Sequence, residues 1–500
     1  MKRLPCSLLF VLLVFTTDLM AQQITPRVLP ARVEDAIRFG NVDPLGTARF
    51  MGTGGSMTAI GVDVTTLHTN PAGIGWNRYS AAQITPGFVT APVNTMVLSK
   101  SPNDEVSESS PTFNLPSLGF VYTQQTRSVN WSTFNLGVNL TRTADFNETI
   151  AFDGYSEGSV IDGIVEDLND GVQDPFRSGL IFDIDDAIQR DNQGFFSDFD
   201  VEENIGGETR KTGTVSRSGG ITELALGAGG NYKEKVLWGV TLGIPFVSFT
   251  EERRYDEIDD RDEITFFDDA GFDETLEMSG SGVNFKLGLI YLPTPQVRLS
   301  AAVHSPTLWT IDETYFTTLE YNFTDGGVAQ GGTALSPESV AAVNLQTPFR
   351  FLFGGGYIIG NKGFVSFDLD YANYASSTFG FDDFASTDEA AGQDIDASLG
   401  GSLGVKLGGE LNLKPFQVRV GAGYRTIPNL DVRNDEDSGT VHGAFGAGWS
   451  KGKLFIDAAL RAEAYNGFYA PYRTFAFDGT VVTTERTRLT ALLTVGFRGW

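Results

Sequence analysis

Few side chains in this 500-residue sequence have chemical reach, and their spacing says what they cannot do. Histidine occurs three times, at His68, His304 and His442, never as a closely spaced pair that would hold a haem iron or a metal ion. His304 adjoins Ser305, but a hydrolytic pair needs a nucleophile, a base and a group that orients the base. No acid stands where it would complete that set, so no catalytic residue is assigned. Cys6 is the single cysteine, which leaves no disulfide or thiolate site in a chain processed beyond it. Carboxylates crowd Glu251 to Glu263 and Asp431 to Asp437 without the ligand spacing of a calcium-binding helix–loop–helix. No metal and no cofactor is therefore expected. The Gly-rich stretch from Gly46 to Ser56 lacks the Gly-Lys-Ser/Thr that a phosphate loop requires. Arginine is the remaining candidate, because its fork can hold a carboxylate through charge-assisted hydrogen bonds. Arg425, at the outer end of a strand-like stretch, and Arg350 are the leading ligand-binding positions. The competing reading is that Arg298, Arg350, Arg419, Arg425 and Arg461 pair with Asp368, Asp370, Asp457 and Glu463.

The elements that must position these charges alternate with period two, one face apolar and the other polar. Phe134, Leu136, Val138 and Leu140 alternate with Asn135, Gly137, Asn139 and Thr141. Phe285, Leu287, Leu289 and Tyr291 alternate with Asn284, Lys286 and Gly288, and Phe416 to Arg425 and Leu454 to Glu463 repeat the pattern. These runs have about the 9–11 residues that a strand needs to cross a bilayer. Glycines on the polar face leave room for something inside a closed wall.

The connections between strands alternate between short polar turns (Ser128–Asn130, Lys233–Lys235, Pro293–Pro295, Asn361–Lys362, Lys414–Pro415, Ser450–Lys453) and long segments. The long ones include Asp145–Gly219, Thr250–Glu277, Asp312–Thr347 and Ala375–Asp396. An outer-membrane barrel has this asymmetry, with tight periplasmic turns and long outer loops. The expected fold is all-β: a transmembrane antiparallel β-barrel of about 14 strands. The tenth strand is expected to start at Ala397, and the last runs from Arg486 to Trp500. Short amphipathic helices are expected at Val160–Asn169 and Ser178–Gln189. In the same long segment Phe195, Phe196 and Phe199 form a candidate external capture site for apolar ligands.

Lys2 and Arg3 precede an apolar run from Leu8 to Phe15, and Ala21 offers a cleavage point, the pattern of a secretory signal. No other stretch approaches the roughly 18 apolar residues of a spanning helix. The formal charge of −27 excludes nucleic acid, since too few cations remain to neutralise phosphates. The chain is therefore divided into a signal peptide (1–21), an N-terminal segment (22–78) that does not read as a barrel strand and whose Gly-rich backbone suits close packing inside a barrel, and a barrel (79–500) with long extracellular loops. The acidic segments read as solvated outer loops bridged by divalent ions to lipopolysaccharide.

An ordered set of short motifs resembles the FadL family of long-chain fatty acid transporters. The set comprises Ala36-Ile37-Arg38-Phe39, Gly46-Thr47-Ala48-Arg49 with Met51-Gly52, Asn70-Pro71-Ala72-Gly73, Gly288-Leu289-Ile290-Tyr291, His304-Ser305-Pro306-Thr307 and Thr347-Pro348-Phe349-Arg350-Phe351. It spans nearly the whole chain and ends in Gly496-Phe497-Arg498. The resemblance implies a fourteen-stranded outer-membrane barrel with an N-terminal hatch containing Asn70, Pro71, Ala72 and Gly73. It also implies passive uptake of long-chain fatty acids or aromatic hydrocarbons, with sideways release through a wall kink, for which Gly137 is the candidate. The partners so implied are a hydrophobic small molecule, outer-membrane lipid and, through the aromatic terminal strand, the barrel-assembly machinery. Relatives of such barrels also imply an alternative role as a non-transporting anchor or shuttle in type IX-like protein secretion.

Overall fold

The computed structural model describes residues 30–190, 192, 194–201, 204–381, 385–430, 439–472, 474 and 479–499. The expected signal peptide, the first residues of the expected hatch, the acidic run Asp431–Asp437 and Trp500 lie outside the described residues. Fourteen antiparallel strands form a closed barrel. In chain order they are β1 (81–98), β2 (106–125), β3 (131–157), β4 (Glu208–Tyr232), β5 (Val236–Ile258), β6 (Phe267–Tyr291) and β7 (297–325). Then come β8 (328–358), β9 (363–381), β10 (Gly401–Leu413), β11 (Phe416–Arg425), β12 (Thr440–Lys451), β13 (Leu454–Tyr469) and β14 (Val481–Arg498). Each pairs with its neighbour, and β14 closes on β1 from Ala81↔Arg498 up to Leu98↔Val481. Closure pairs the strand edges with one another, the condition for a β-structure in hydrocarbon. Among the described residues no helix is long and apolar enough to cross a membrane.

The period-two pattern sets the two faces. On β3, Phe134, Leu136 and Val138 stay exposed on the outside while Thr133, Asn135 and Asn139 are buried in the lumen. On β6, Phe285, Leu287 and Leu289 point out while Asn284 and Lys286 point in. Surface that would be costly in water is here the surface offered to lipid. The chain is a transmembrane barrel of outer-membrane type.

The long segments differ from expectation. Thr250–Glu277 and Asp312–Thr347 are mostly strand: β5 continues to Ile258, β6 begins at Phe267, and only two residues separate β7 from β8. The wall is uneven as a result. β4, β5 and β6 have 25, 23 and 25 residues, whereas β10, β11 and β12 have 13, 10 and 12. The short strands are membrane spans; about 12 extra residues carry the tall ones roughly 40 Å further along the strand. Above the lipid no apolar outer face is required, so the strand signal vanished into polar sequence. Two smaller corrections follow the same boundary. Ala397 ends a helix, α4 (Ala385–Ser398), instead of opening β10, and Ser178–Gln189 holds only a single turn at Leu180–Asp183.

Residues 30–77 fill the lumen. They form α1 (Pro30–Gly40), α2 (Ala48–Gly52) and two short turns of helix at Val64–His68 and Pro71–Trp76. Thr47, Asp63 and Asn70 each cap the helix that follows, accepting a hydrogen bond from its first turn. Pro71 sits just inside its helix, where the missing N–H costs nothing. Above the membrane α3 (Val160–Asn169) starts in a Ser159/Asp162 capping box and buries Val160, Ile161, Ile164, Val165 and Leu168 on one stripe. That stripe joins Tyr255, Phe267, Leu319 and Tyr321 of the tall wall in one apolar cluster. The long β3–β4 segment is thus a folded cap over the lumen.

Candidate functional site

The N-terminal segment is tied to the wall by charge on one side and by close backbone approach on the other. Arg32 of α1 donates to both carboxylate oxygens of Glu313 on β7, at 2.7 and 3.1 Å, with both side chains buried. Asp43 is bridged by Lys406 on β10 (2.8 Å) and Arg461 on β13 (2.5 Å). Arg49 and Arg419 share Glu410 at 3.0 and 2.7 Å, and Arg419 reaches Asp457 at 2.6 Å. Thr58 donates its hydroxyl to Asp368 at 2.6 Å. The charges found on the polar faces therefore pair with one another and with the N-terminal segment.

Asn70 accepts from Ala72 N–H (3.1 Å) while its amide donates to Thr58 O (2.9 Å) and Leu289 O of β6 (3.3 Å). One side chain thereby joins two turns of the segment to the wall. Gly288 beside it has no room for a side chain, since a Cβ there would overlap Asn70 Oδ1 and press on Pro71. Gly421 on β11 likewise faces the Thr53–Gly54 backbone at contact distance. Ala72 and Gly73 are buried in the same turn. Gly137 packs against Leu67 within pairing that is continuous on both sides from Thr133 to Thr141, the register of β3 shifting only at Trp131–Thr133 and Arg142–Ala144. The register also shifts on β1, between Thr85 and Gly87, where Pro86 interrupts pairing and Gly87 packs on Pro116 of β2.

The three histidines are structural ties. His68 Nδ1 lies 2.8 Å from Glu223, which also holds Lys286 at 2.6 Å. His304 Nε2 meets Thr69 O at 2.6 Å, and His442 Nε2 meets Gly54 O at 3.2 Å.

Between α1 below and the cap above lies a cavity of about 770 Å³. Phe146, Phe249, Leu276, Tyr315, Phe468 and Tyr469 give it an apolar lining, and arginines from several strands enter it. Arg217 is matched by Glu148 and Glu251, and Arg253 by Glu251 and Glu274. Arg425 lines the cavity but is engaged by Asp370 (3.2 Å) and by Asn41. Arg350 lies deeper, bound to Asp370 and to Val42 O. Arg488 on β14 differs: it lines the cavity and forms no ion pair among the described residues, and its Nε, like that of Arg486, has no hydrogen-bond partner. It was missed in the sequence because Arg486-Thr487-Arg488 reads as two equivalent inward cations, and only the fold gives Glu148 to Arg486. Phe195 and Phe199 pack against the cap's apolar cluster and Phe196 is half-buried in a short ladder beside them.

No family model matches the chain, and no curated protein does. Solved structures do. A FadL homologue from Pseudomonas aeruginosa superposes with a TM-score of 0.55 at 11% identity, covering 92% of this chain and 99% of the other. The toluene transporter TodX of Pseudomonas putida superposes with a TM-score of 0.52 at 11% identity, covering 91% and 99%. The chain has the fold of the FadL-type outer-membrane transporters over nearly its whole length.

Proposed function

We propose that this barrel is a passive outer-membrane channel for hydrophobic small molecules, long-chain fatty acids or aromatic hydrocarbons, with residues up to 78 acting as its hatch. The observation that carries this reading is the cavity between hatch and cap, whose lining sets apolar side chains such as Phe249, Leu276 and Tyr315 among charged ones, on a scale fitted to a ligand of modest size. The similarity to a FadL homologue and a toluene transporter supports it. Within the cavity Arg488 is the cation best placed for a ligand's polar end, because Arg425 and Arg350 are already engaged. The cap phenylalanines Phe195, Phe196 and Phe199 would shape the outer approach. Passage would require the hatch to shift, with the Asn70–Ala72 turn against Gly288 as its tie to the wall. The break at Pro86 is the better position for sideways release, since the ladder at Gly137 is intact.

The test is mass spectrometry of lipids and hydrocarbons that co-purify with the protein from outer membranes. A bound fatty acid or hydrocarbon, lost in the Asn70→Ala variant, is expected. An empty lumen together with a stably bound secreted protein would favour the secretion anchor instead.

A further inference from the structure

Charge is segregated along the barrel axis. The chain has 63 acidic residues, yet among the described residues the short-turn end of the barrel carries one, Glu234, which pairs with Arg78 at 2.8 Å. That same end is cationic at almost every turn: Arg127 in the β2–β3 turn, Lys233 and Lys235 between β4 and β5, Lys362 between β8 and β9, and Lys414 between β10 and β11. Lys451, Lys453 and Arg498 complete the circuit where β12, β13 and β14 end. All are exposed, and none except Arg78 forms an ion pair among the described residues. Among the described residues most lumenal arginines have an acidic partner, whereas these rim cations have none.

Directly beyond this ring toward the bilayer lies a girdle of outward aromatic side chains. Tyr232 packs edge-on against Trp131 at 5.1 Å, and Trp131 stacks on Phe134 at 5.0 Å. Tyr291, Tyr357 and Phe416 are exposed at the same end of their strands, and Phe497 at the end of β14. Two cations reach back onto the girdle: Lys233 Nζ lies 5.2 Å from the Tyr232 ring centre and Lys453 Nζ 5.8 Å from that of Phe497. Aromatic side chains of this kind sit at headgroup level. The ammonium groups are therefore held where lipid phosphates lie. They are spread around the perimeter instead of gathered in one pocket, which suits many lipid headgroups and not a single compact anion.

We propose that the periplasmic rim is a binding collar for the phosphate groups of anionic phospholipid in the inner leaflet of the outer membrane. The excess of acid over base is left to the lumen and the opposite end. The collar fixes the depth of the barrel and sets which end faces the phospholipid leaflet. Its electrostatics are independent of what the lumen carries.

The full-length protein is reconstituted into nanodiscs containing equal amounts of palmitoyl-oleoyl phosphatidylglycerol and phosphatidylcholine, and the lipids retained after detergent stripping are quantified by native mass spectrometry. Phosphatidylglycerol is expected to be retained at least about tenfold over phosphatidylcholine, as a few basic residues near an anionic surface should give. The preference should collapse in 0.5 M salt, where exposed charges are screened. A Lys233→Gln, Lys235→Gln, Lys414→Gln, Lys453→Gln variant should retain the two lipids equally, and the corresponding Lys→Arg variant should keep the preference. Equal retention by the wild-type protein, a preference that survives in the Gln variant, or one indifferent to salt would each overturn the collar. So would capture of soluble peptidoglycan fragments without any lipid preference. Hexadecanoate binding measured on the same variants should be unchanged, which keeps this test separate from that of the channel.

Discussion

Gly288 shows how a single missing side chain permits the N-terminal segment to seat. Its Cα faces Asn70 and Pro71 so closely that even a methyl group would displace the turn they form. A Gly288→Ala substitution should therefore cost on the order of 1–3 kcal/mol through overpacking. The measurable result is a lower thermal midpoint and a raised ion conductance in planar bilayers, since the barrel wall survives while the N-terminal segment no longer fits. Unchanged conductance would mean that the turn can shift without opening the lumen. Arg488 carries the complementary prediction. If it holds a ligand's polar end, Arg488→Gln should weaken hexadecanoate binding about tenfold or more, the worth of a charge-assisted hydrogen bond, and leave toluene binding unchanged. Equal loss of both ligands would indicate damage to the cavity instead.

At the scale of elements, α1 and α3 close the two ends of the cavity by different means. α1 is clamped by the buried Arg32–Glu313 pair, and replacing Glu313 with Gln leaves a buried guanidinium short of its main counter-charge. The expected cost is on the order of 3 kcal/mol. It should appear as faster amide exchange in α1 with little change in the wall strands. α3 is anchored above the membrane. Its Val160 N–H donates to Glu257 at 2.7 Å, and Lys211 pairs with the same carboxylate at 3.3 Å while donating to Gly158 O. Burial pushes the neighbouring Asp162 carboxyl up to about 7, reinforced by Glu257 and Asp200 and opposed by the Ser159 N–H and Lys211. The docked cap thus favours the protonated acid. Its contribution is complete below the ordinary carboxylate range and is lost as pH rises through about 7. Amide exchange in α3 should accelerate between pH 5 and pH 8, and Asp162→Asn should flatten that slope; a slope equally steep in the variant would exclude Asp162 as its source.

For the whole molecule, the uneven wall separates two tasks. β10, β11 and β12 are little more than membrane spans, whereas β3 to β8 rise beyond the lipid to carry the cap. The membrane-embedded ladders do not depend on the cap's apolar cluster, whose members come from the cap and the upper strand ends. A chain lacking residues 160–206 should still assemble a heat-modifiable barrel, with the cavity now open to the outside and ligand exchange faster. Failure of that chain to assemble would show that the tall wall needs its cap to close.

The sequence by itself determined the barrel, because lipid imposes a simple rule on each span: apolar out, polar in, with period two. Phe134 to Leu140 and Phe285 to Tyr291 obey it, and all fourteen strands were legible in their membrane portions. The short turns were legible too. What lies above the membrane was not, since Thr250–Glu277 and Asp312–Thr347 look like solvated loop when water bathes one face and paired charges line the other. Glu251, Glu257 and Glu313 read as surface acids, yet each is buried against a cation from another part of the chain. Only the tertiary structure decided which charges neutralise one another. Pairing depends on distances across the lumen between residues such as Arg32 and Glu313, 281 positions apart, and no local pattern encodes a contact of that kind. Among the described residues the same closure leaves Arg488 without an ion pair, while Arg217, Arg253 and Arg425 each have one.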